Sequence, residues 1–101
     1  MKQFFDAIKS NDLDKVRSII TGPINVYMLV NQATEDGWTP LMIAAEMGYI
    51  GVVQLLLDHG ANVNQAAVDE WTPLFIAAEK GHAVVARLLL AADGIKVNQV
   101  L

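Results

Sequence analysis

Apolar residues recur at helical spacing in short segments that are bounded by turn residues, and the clearest segment begins at Thr39. The Thr39 hydroxyl can cap a helix, and Pro40 at the first helical position leaves no N–H donor unsatisfied. Leu41 and Ala44 then fall on one side of the helix, while the intervening residues are also apolar, which predicts burial on more than one side. Gly48 supplies the left-handed residue that ends this first helix.

A second helix is predicted directly after that glycine. It starts at about Ile50 and ends at His59-Gly60. Its apolar face consists of Val52, Val53, Leu56 and Leu57. Residues 61–70, ANVNQAAVDE, are rich in turn formers, which predicts an extended connection to the next segment.

The same pattern of residues then recurs further along the chain. WTPLMIAAE occupies residues 38–46 and WTPLFIAAE residues 71–79, so eight of nine residues are identical at a spacing of 33. QLLL at 54–57 matches RLLL at 87–90 with the same spacing. A helix pair that recurs at a fixed period cannot bury both of its faces alone, which predicts an all-α chain of stacked pairs.

The repeated segments resemble the ankyrin repeat family. The resemblance is carried by DGWTPLMIAAEMGYIGVVQLLLDHGANVN (residues 36–64) and DEWTPLFIAAEKGHAVVARLLLAADGIKVN (residues 69–98). A weaker version, FFDAIKSNDLDKVRSII, covers residues 4–20. There Asn11 replaces the turn glycine, which is tolerated because asparagine visits the left-handed region.

The resemblance implies an all-α solenoid of antiparallel helix pairs joined by projecting β-hairpin-like loops. It predicts a single domain over residues 1–101, which opens with a leader (capping) repeat at 1–35 and a long loop at 21–38. Two repeats follow at 36–68 and 69–101, with truncation of the last one left open.

The chain departs from the family pattern after Thr-Pro-Leu. The family usually has histidine at this point, bonded near the threonine hydroxyl, but this chain has Met42 and Phe75. Packing is therefore expected to replace that polar contact.

The first connection is also longer than the second, with 18 residues between Ile20 and Thr39 against 14 between Leu57 and Thr72. Its segment INVYMLVN, residues 24–31, is uncharged and rich in residues that favour strands. A period of two groups Ile24, Val26, Met28 and Val30. One interpretation is an enlarged loop or hairpin with Tyr27 and Leu29 facing outward; the other is a loop folded back to seal the leader repeat.

Composition indicates a protein that meets something outside itself. Apolar residues make up 53% and charged residues 18% of the chain, which suggests apolar surface reserved for contact. The longest uncharged run, 18–34, is too short and too polar to span a bilayer. Asp6 and Lys9 interrupt any signal peptide, and cysteine is absent. We therefore expect an intracellular, cytoplasmic protein without disulfides or thiolate chemistry.

Candidate catalytic and metal-binding groups are sparse. His59 and His82 lie 23 residues apart, and neither has a partner at the spacing of a metal site. Ser10 and Ser18 are not part of a nucleophile elbow. Seven scattered basic residues and a net charge of −4 argue against nucleic acid as a partner.

Two pairs of adjacent carboxylates, Glu35-Asp36 and Asp69-Glu70, are expected at exposed loop tips. A general acid and base need different environments that separate their pKa values, which solvated tips do not provide. No phosphate-binding or dinucleotide pattern appears. The sequence predicts no catalytic residue, no cofactor and no metal.

The family resemblance instead implies protein binding through the loop tips and the inner helices. The family's variable positions there include Ala33 and Ala66, and the remaining ones, with Glu70 added at the second tip, form what we call the acidic face. It consists of Glu35, Asp36, Trp38, Glu46, Met47, Val68, Asp69, Glu70, Trp71, Glu79 and Lys80. Six acids and one base give this face a net charge of −5, which leaves +1 for the rest of the chain.

The expected function is a non-catalytic interaction module for a protein with a basic or mixed surface. Trp38 and Trp71 either anchor the partner or only shield the loops from water. Two alternatives stay open: a fragment or subunit of a larger protein that acts as an enzyme inhibitor or substrate-docking part, and a self-associating structural repeat.

The two ends of the stack differ in polarity. A polar outer face is expected on the leader, from Lys2, Asp6, Lys9, Asp12, Asp14, Lys15 and Arg17. The last pair reads AVVARLLLAAD, which is apolar. We expect an apolar face there that meets another chain or a further repeat. Its expected members are Leu88–Leu90, Val97, Val100 and Leu101.

Overall fold

The computed structural model describes residues 2–22, 25–92 and 94. Over this part of the chain all regular structure is helical, and no strand is present. The helices are α1 (Lys2–Lys9), α2 (Leu13–Ile20), α3 (Val26–Val30), α4 (Pro40–Met47), α5 (Ile50–Asp58), α6 (Pro73–Glu79) and α7 (Ala83–Ala91). The all-α prediction is confirmed, with one helix, α3, that the sequence did not indicate.

The helices form two layers. The inner layer consists of α1, α4 and α6, which contact one another in that order. The outer layer consists of α2, α5 and α7, which also contact one another in chain order. Each inner helix also contacts the outer helix that follows it. This arrangement is the predicted stack of helix pairs, with the apolar core between the two layers.

Local signals start and stop the repeated helices as the sequence predicts. The Thr39 hydroxyl accepts the backbone N–H of Met42 at 3.3 Å, and the Thr72 hydroxyl accepts that of Phe75 at 3.2 Å. Gly48 ends α4 in the left-handed conformation, with φ of 73°. Asn11 has φ of 58° between α1 and α2, so it does replace the turn glycine.

A side chain at the start of α5 and one at the start of α7 bond back to the preceding repeat. The Tyr49 hydroxyl donates to the Lys9 carbonyl at 3.1 Å, and His82 Nε2 lies 2.9 Å from the Glu46 carbonyl. Because a carbonyl can only accept, this contact assigns the His82 proton to Nε2. His82 therefore has a structural role at the start of α7.

The expectation of an extended segment at 24–31 is wrong. The Asn25 side chain accepts the backbone N–H of Met28 at 3.1 Å, which caps the short helix α3. In that helix Val26, Leu29 and Val30 share one side at spacings of three and four residues.

Burial in this segment consequently follows the helical period. Leu29 and Val30 are buried, whereas Met28 is 68% exposed. Tyr27 faces outward as predicted, but Leu29 does not. Ile24 lies outside the described residues. The contact of α3 with α2 agrees with a segment folded back on the leader repeat.

The expected apolar end face needs a similar correction. Leu89 is fully buried, because Val85 and Leu89 lie on the side of α7 that packs into the core. Leu88 is half-buried, and Leu90 is 48% exposed. Val97, Val100 and Leu101 lie outside the described residues.

The polar outer face of the leader is present in the structure. Six of the predicted side chains are exposed, namely Asp6, Lys9, Asp12, Asp14, Lys15 and Arg17. The Lys2 side chain is not among those described.

Candidate protein-binding surface

The two loop tips have the same hairpin-like geometry. In the first, the Thr34 N–H donates to the Trp38 carbonyl at 2.9 Å, and Gly37 has φ of 81°. In the second, the Ala67 N–H donates to the Trp71 carbonyl at 2.9 Å, and Glu70 has φ of 69°. Hydrogen bonds across each loop thus close the projecting turns that the resemblance implied.

A backbone hydrogen bond joins the two tips. The Val68 N–H donates to the Asp36 carbonyl at 3.0 Å. This bond places the acidic residues of one tip directly beside those of the next. The tips therefore form one continuous surface across the two repeats.

The structure places most of the acidic face in solvent. The exposed members are Glu35, Asp36, Met47, Val68, Asp69, Glu70, Glu79 and Lys80. Trp38, Glu46 and Trp71 are half-buried. Val68 is the most exposed large apolar residue of the described chain, at 78%.

The acidic face falls into two groups rather than one. The tip residues precede α4 and α6, whereas Glu46-Met47 and Glu79-Lys80 lie at the opposite ends of these helices. Eight residues at 1.5 Å each separate the groups by about 12 Å. The surface is thus an elongated strip along the inner helices, which is more suited to a partner chain than to a small molecule.

The two tryptophans, although 33 residues apart, have different surroundings. Trp38 lines a cleft of about 250 Å³ together with Asp36, Val68 and Asp69. The Trp71 ring instead packs edge-on against Phe75, with ring centroids 4.6 Å apart and planes at 88°. Both indoles also pack partly against the core. Trp71 is not among the residues that line the cleft beside Trp38.

The carboxylates of the strip are not neutralised within the described chain. There the one ion pair within 4.0 Å joins Arg17 to Asp14, at 3.7 Å on α2. Asp69 Oδ1 accepts the Trp71 N–H at 3.3 Å, a contact that shapes its own loop. The negative potential of the tips is therefore available to a partner.

Neither a metal site nor a membrane span is found in the part of the chain that the structure describes. Its His, Asp and Glu side chains form no group of three or more that could hold a metal ion. None of its helices has the length and apolar character needed to cross a bilayer.

Several contacting residues were not identified from the sequence. The Phe75 ring packs against Trp71, and the available signal for this contact was the spacing of four residues between the two aromatic residues. Asn31 joins the leader loop to the next: its Nδ2 donates to the Gly60 carbonyl at 2.9 Å, and its Oδ1 accepts the Asn62 N–H at 2.6 Å. The recurring Val-Asn dipeptide was the available signal for this contact.

Comparison with known proteins agrees with this geometry. The family model described as ankyrin repeats (3 copies) matches residues 4–100. The human (Homo sapiens) protein named 2-5A-dependent ribonuclease is 41% identical over 56 residues, which cover 55% of this chain and 7% of that protein.

Two further relatives give similar values. Ankyrin repeat, SAM and basic leucine zipper domain-containing protein 1 of Ornithorhynchus anatinus is 38% identical over 66 residues, or 56% of this chain and 14% of that protein. Acyl-CoA-binding domain-containing protein 6 homolog of Dictyostelium discoideum is 34% identical over 56 residues, or 55% and 18%. The chain thus spans less than a fifth of the length of these relatives.

The family match covers nearly all of the chain, and the described helices form the corresponding stack of pairs. Ankyrin repeats are generally protein–protein interaction modules. The family match and the stacked helix pairs together show that the chain belongs to the ankyrin repeat family.

Proposed function

We propose that this chain is a non-catalytic module that binds a partner protein through the acidic face. The observation that carries the proposal is the joined pair of loop tips. The Val68–Asp36 hydrogen bond of 3.0 Å holds acidic residues of two repeats side by side, and none of them has an ion pair within the part of the chain that the structure describes. Exposed Val68 and half-buried Trp38 and Trp71 lie among them.

This combination favours a protein partner with a basic or mixed surface. Aromatic residues are the usual anchors of protein interfaces, and charged residues around them mainly select the partner and speed its encounter. With −5 on the acidic face and +1 elsewhere, an approaching cationic surface is oriented toward the tips. Nucleic acid is not the proposed partner, because the same charges repel phosphate.

We assign the protein to the interior of the cell, in the cytoplasm, and retain the division into a leader, 1–35, and repeats 36–68 and 69–101. The absence of cysteine from the sequence supports the first assignment. The 33-residue spacing supports the second.

The proposal is tested by crosslinking and affinity capture from the source cells with matched baits. Wild-type protein is compared with Trp71→Ala, with Asp36→Asn/Asp69→Asn, and with the control Asp6→Asn, which alters an exposed acid on α1. We expect one set of proteins to be enriched by wild type and the control and reduced with both face variants. Capture that is identical for all four baits contradicts the proposal.

A second candidate function is a substrate-docking or inhibitory part of a larger enzyme. It is favoured by the relatives, since the chain covers only 7% of a protein named as a ribonuclease. The full-length transcript and protein from the source cells test this candidate. A parent protein with a catalytic domain, whose turnover of a protein substrate falls with Trp71→Ala, supports it.

Self-association is the third candidate. Val84 and Leu90 on α7 are exposed apolar side chains, at 41% and 48%. Light scattering over a range of concentrations tests this candidate. A dimer that Leu90→Lys converts to a monomer supports it, and a monomer at every concentration removes it.

A further inference from the structure

The cleft between the loop tips combines two apolar and two acidic side chains. Trp38 and Val68 are its apolar lining residues, and Asp36 and Asp69 are one acidic lining residue from each repeat. The backbone bond between Val68 and Asp36 fixes the spacing of the two tips. At about 250 Å³ the cleft is smaller than the roughly 300–1,000 Å³ of drug-sized pockets. It therefore suits a single side chain.

We propose that this cleft receives one arginine side chain of the partner protein. The inference rests on the proposed function, because it names the group that the acidic face recognises. Neither Asp36 nor Asp69 has an ion pair within the described chain, so two acidic residues without a cationic partner line the cleft together with a tryptophan. A cation is the complement of that arrangement.

Arginine fits this chemistry better than lysine. A planar guanidinium stacks on aromatic side chains and presents a fork of donors that matches carboxylates. A cation over an indole gains a further electrostatic attraction. The lysine ammonium is a more strongly hydrated point charge, which loses more on leaving water.

Trp38 is the tryptophan of this site for a structural reason. Trp71 has Phe75 against its ring, whereas the equivalent neighbour of Trp38 is Met42, which is fully buried in the core. Among the described residues Trp38 has no aromatic partner. Its indole is therefore available to the side chain that enters the cleft.

The test is an NMR titration of the whole chain with blocked pentapeptides, Gly-Gly-Xaa-Gly-Gly, where Xaa is arginine, lysine or citrulline. Citrulline has nearly the shape of arginine without its charge. At low salt, where charges are least screened, we expect a saturable shift of the Trp38 indole N–H with the arginine peptide. Affinity for the citrulline peptide should be at least about fivefold lower, and affinity for lysine should lie between them.

Two variants and one control locate the binding. Asp36→Asn and Asp69→Asn should each weaken arginine-peptide binding about two- to fivefold. Asparagine keeps the Oδ1 acceptor that Asp69 offers to the Trp71 N–H, so the loop is preserved. Asp6→Asn removes an exposed acid from α1 and should leave the affinity unchanged.

Several results overturn the inference. One is the absence of a saturable shift up to about 20 mM peptide, which is weaker than any useful subsite. Others are equal binding of the arginine and citrulline peptides, or unchanged binding in both asparagine variants. Equal binding of the lysine peptide overturns the assignment to arginine.

The failure of this inference is distinguishable from that of the proposed function. If the peptides fail while Trp71→Ala still reduces capture of the native partner, the interaction surface stands and the arginine site is wrong. If capture is indifferent to every variant of the acidic face, the proposed function is wrong whatever the peptides do.

Discussion

Helices α4 and α6 have nearly the same amino-acid sequence, yet their residues differ in burial. Every residue from Pro40 to Ala45 in α4 is buried, whereas Leu74 and Phe75 in α6 are half-buried and Ala78 is exposed. The cause is position in the stack. Helix α4 lies between α1 and α6, while the main contacts of α6 among the described residues are with α4 and α7.

This difference shows which property each part of the sequence controls. The Thr-Pro start determines where a helix begins and acts alike in both copies, and a glycine with positive φ follows each helix, although α6 ends one residue earlier, with Lys80 as its C-cap. Burial is determined by neighbouring helices, which are encoded elsewhere in the chain. Identical residues therefore contribute unequal free energies to folding, and matched substitutions in the two copies measure that inequality.

The largest effect is expected from truncating the same leucine in both helices. Leu41→Ala removes a fully buried side chain and should lower the free energy of unfolding by about 2–5 kcal/mol. Leu74→Ala acts on a half-buried side chain and should lower it by about half as much. Urea unfolding of both variants measures the difference, and equal losses contradict the role assigned to stacking.

The turn glycines offer a second matched pair. A Cβ at Gly48 lies 2.7 Å from the His82 ring, whereas a Cβ at Gly81 meets nothing within 4 Å. Both residues have positive φ, so alanine strains either site by about 1–2 kcal/mol. Gly48→Ala should cost about 1 kcal/mol more, because it displaces His82 from the Glu46 carbonyl.

A double-mutant cycle identifies the source of that extra cost. In a His82→Ala background the hydrogen bond is already absent, so Gly48→Ala and Gly81→Ala should then cost the same. A difference that persists without the His82 ring shows that some other contact of Gly48 is responsible.

Most of the fold was predictable, because its signals are local and repeated. The Thr39 and Thr72 caps, the Asn11 turn and the helix pairs all follow from residues close in sequence. Helix α3 was missed because INVYMLVN has strand-favouring residues, which compete with the Asn25 cap that starts the helix. Such a competition is decided by packing of Leu29 and Val30, which the segment itself does not reveal.

The candidate site was predictable only in outline. The resemblance indicated which positions are expected to face a partner, and the structure places eight of these eleven residues in solvent and three half-buried. The resemblance could not indicate that Trp38 borders a cleft while Trp71 packs against Phe75. The cleft depends on residues from two repeats, and the position equivalent to Phe75 in the first repeat is Met42, which has no aromatic ring. The role of both tryptophans in binding stays a prediction.

The two tryptophans give a third comparison, in binding rather than stability. Trp71→Ala or Trp38→Ala should weaken partner binding by more than tenfold if these residues are interface anchors. Affinity for the captured partner is measured beside the urea midpoint of each variant. Added salt should slow association through the acids without abolishing binding.

The control for this experiment is the stability of the same variants. Both indoles pack partly against the core, so some loss of stability is expected in each case. If affinity falls only in proportion to lost folding, or if both variants bind normally, the tryptophans are packing residues and the assignment of the surface is wrong.

The smallest effect is expected at the loop tips, where Gly37 and Glu70 occupy equivalent positions with positive φ. Glutamate is strained in this conformation, so Glu70→Gly should raise the free energy of unfolding by up to about 1 kcal/mol, after allowing for the greater unfolded-state freedom of glycine. Gly37→Ala should lower it by at least as much, because its Cβ would lie 3.1 Å from the Val68 backbone nitrogen. Glu70→Gln is the matched control, since it removes the charge and keeps the strain. A gain in Glu70→Gln equal to that in Glu70→Gly would assign the effect to repulsion among the acids rather than to the backbone, and the two tips would then differ in charge alone.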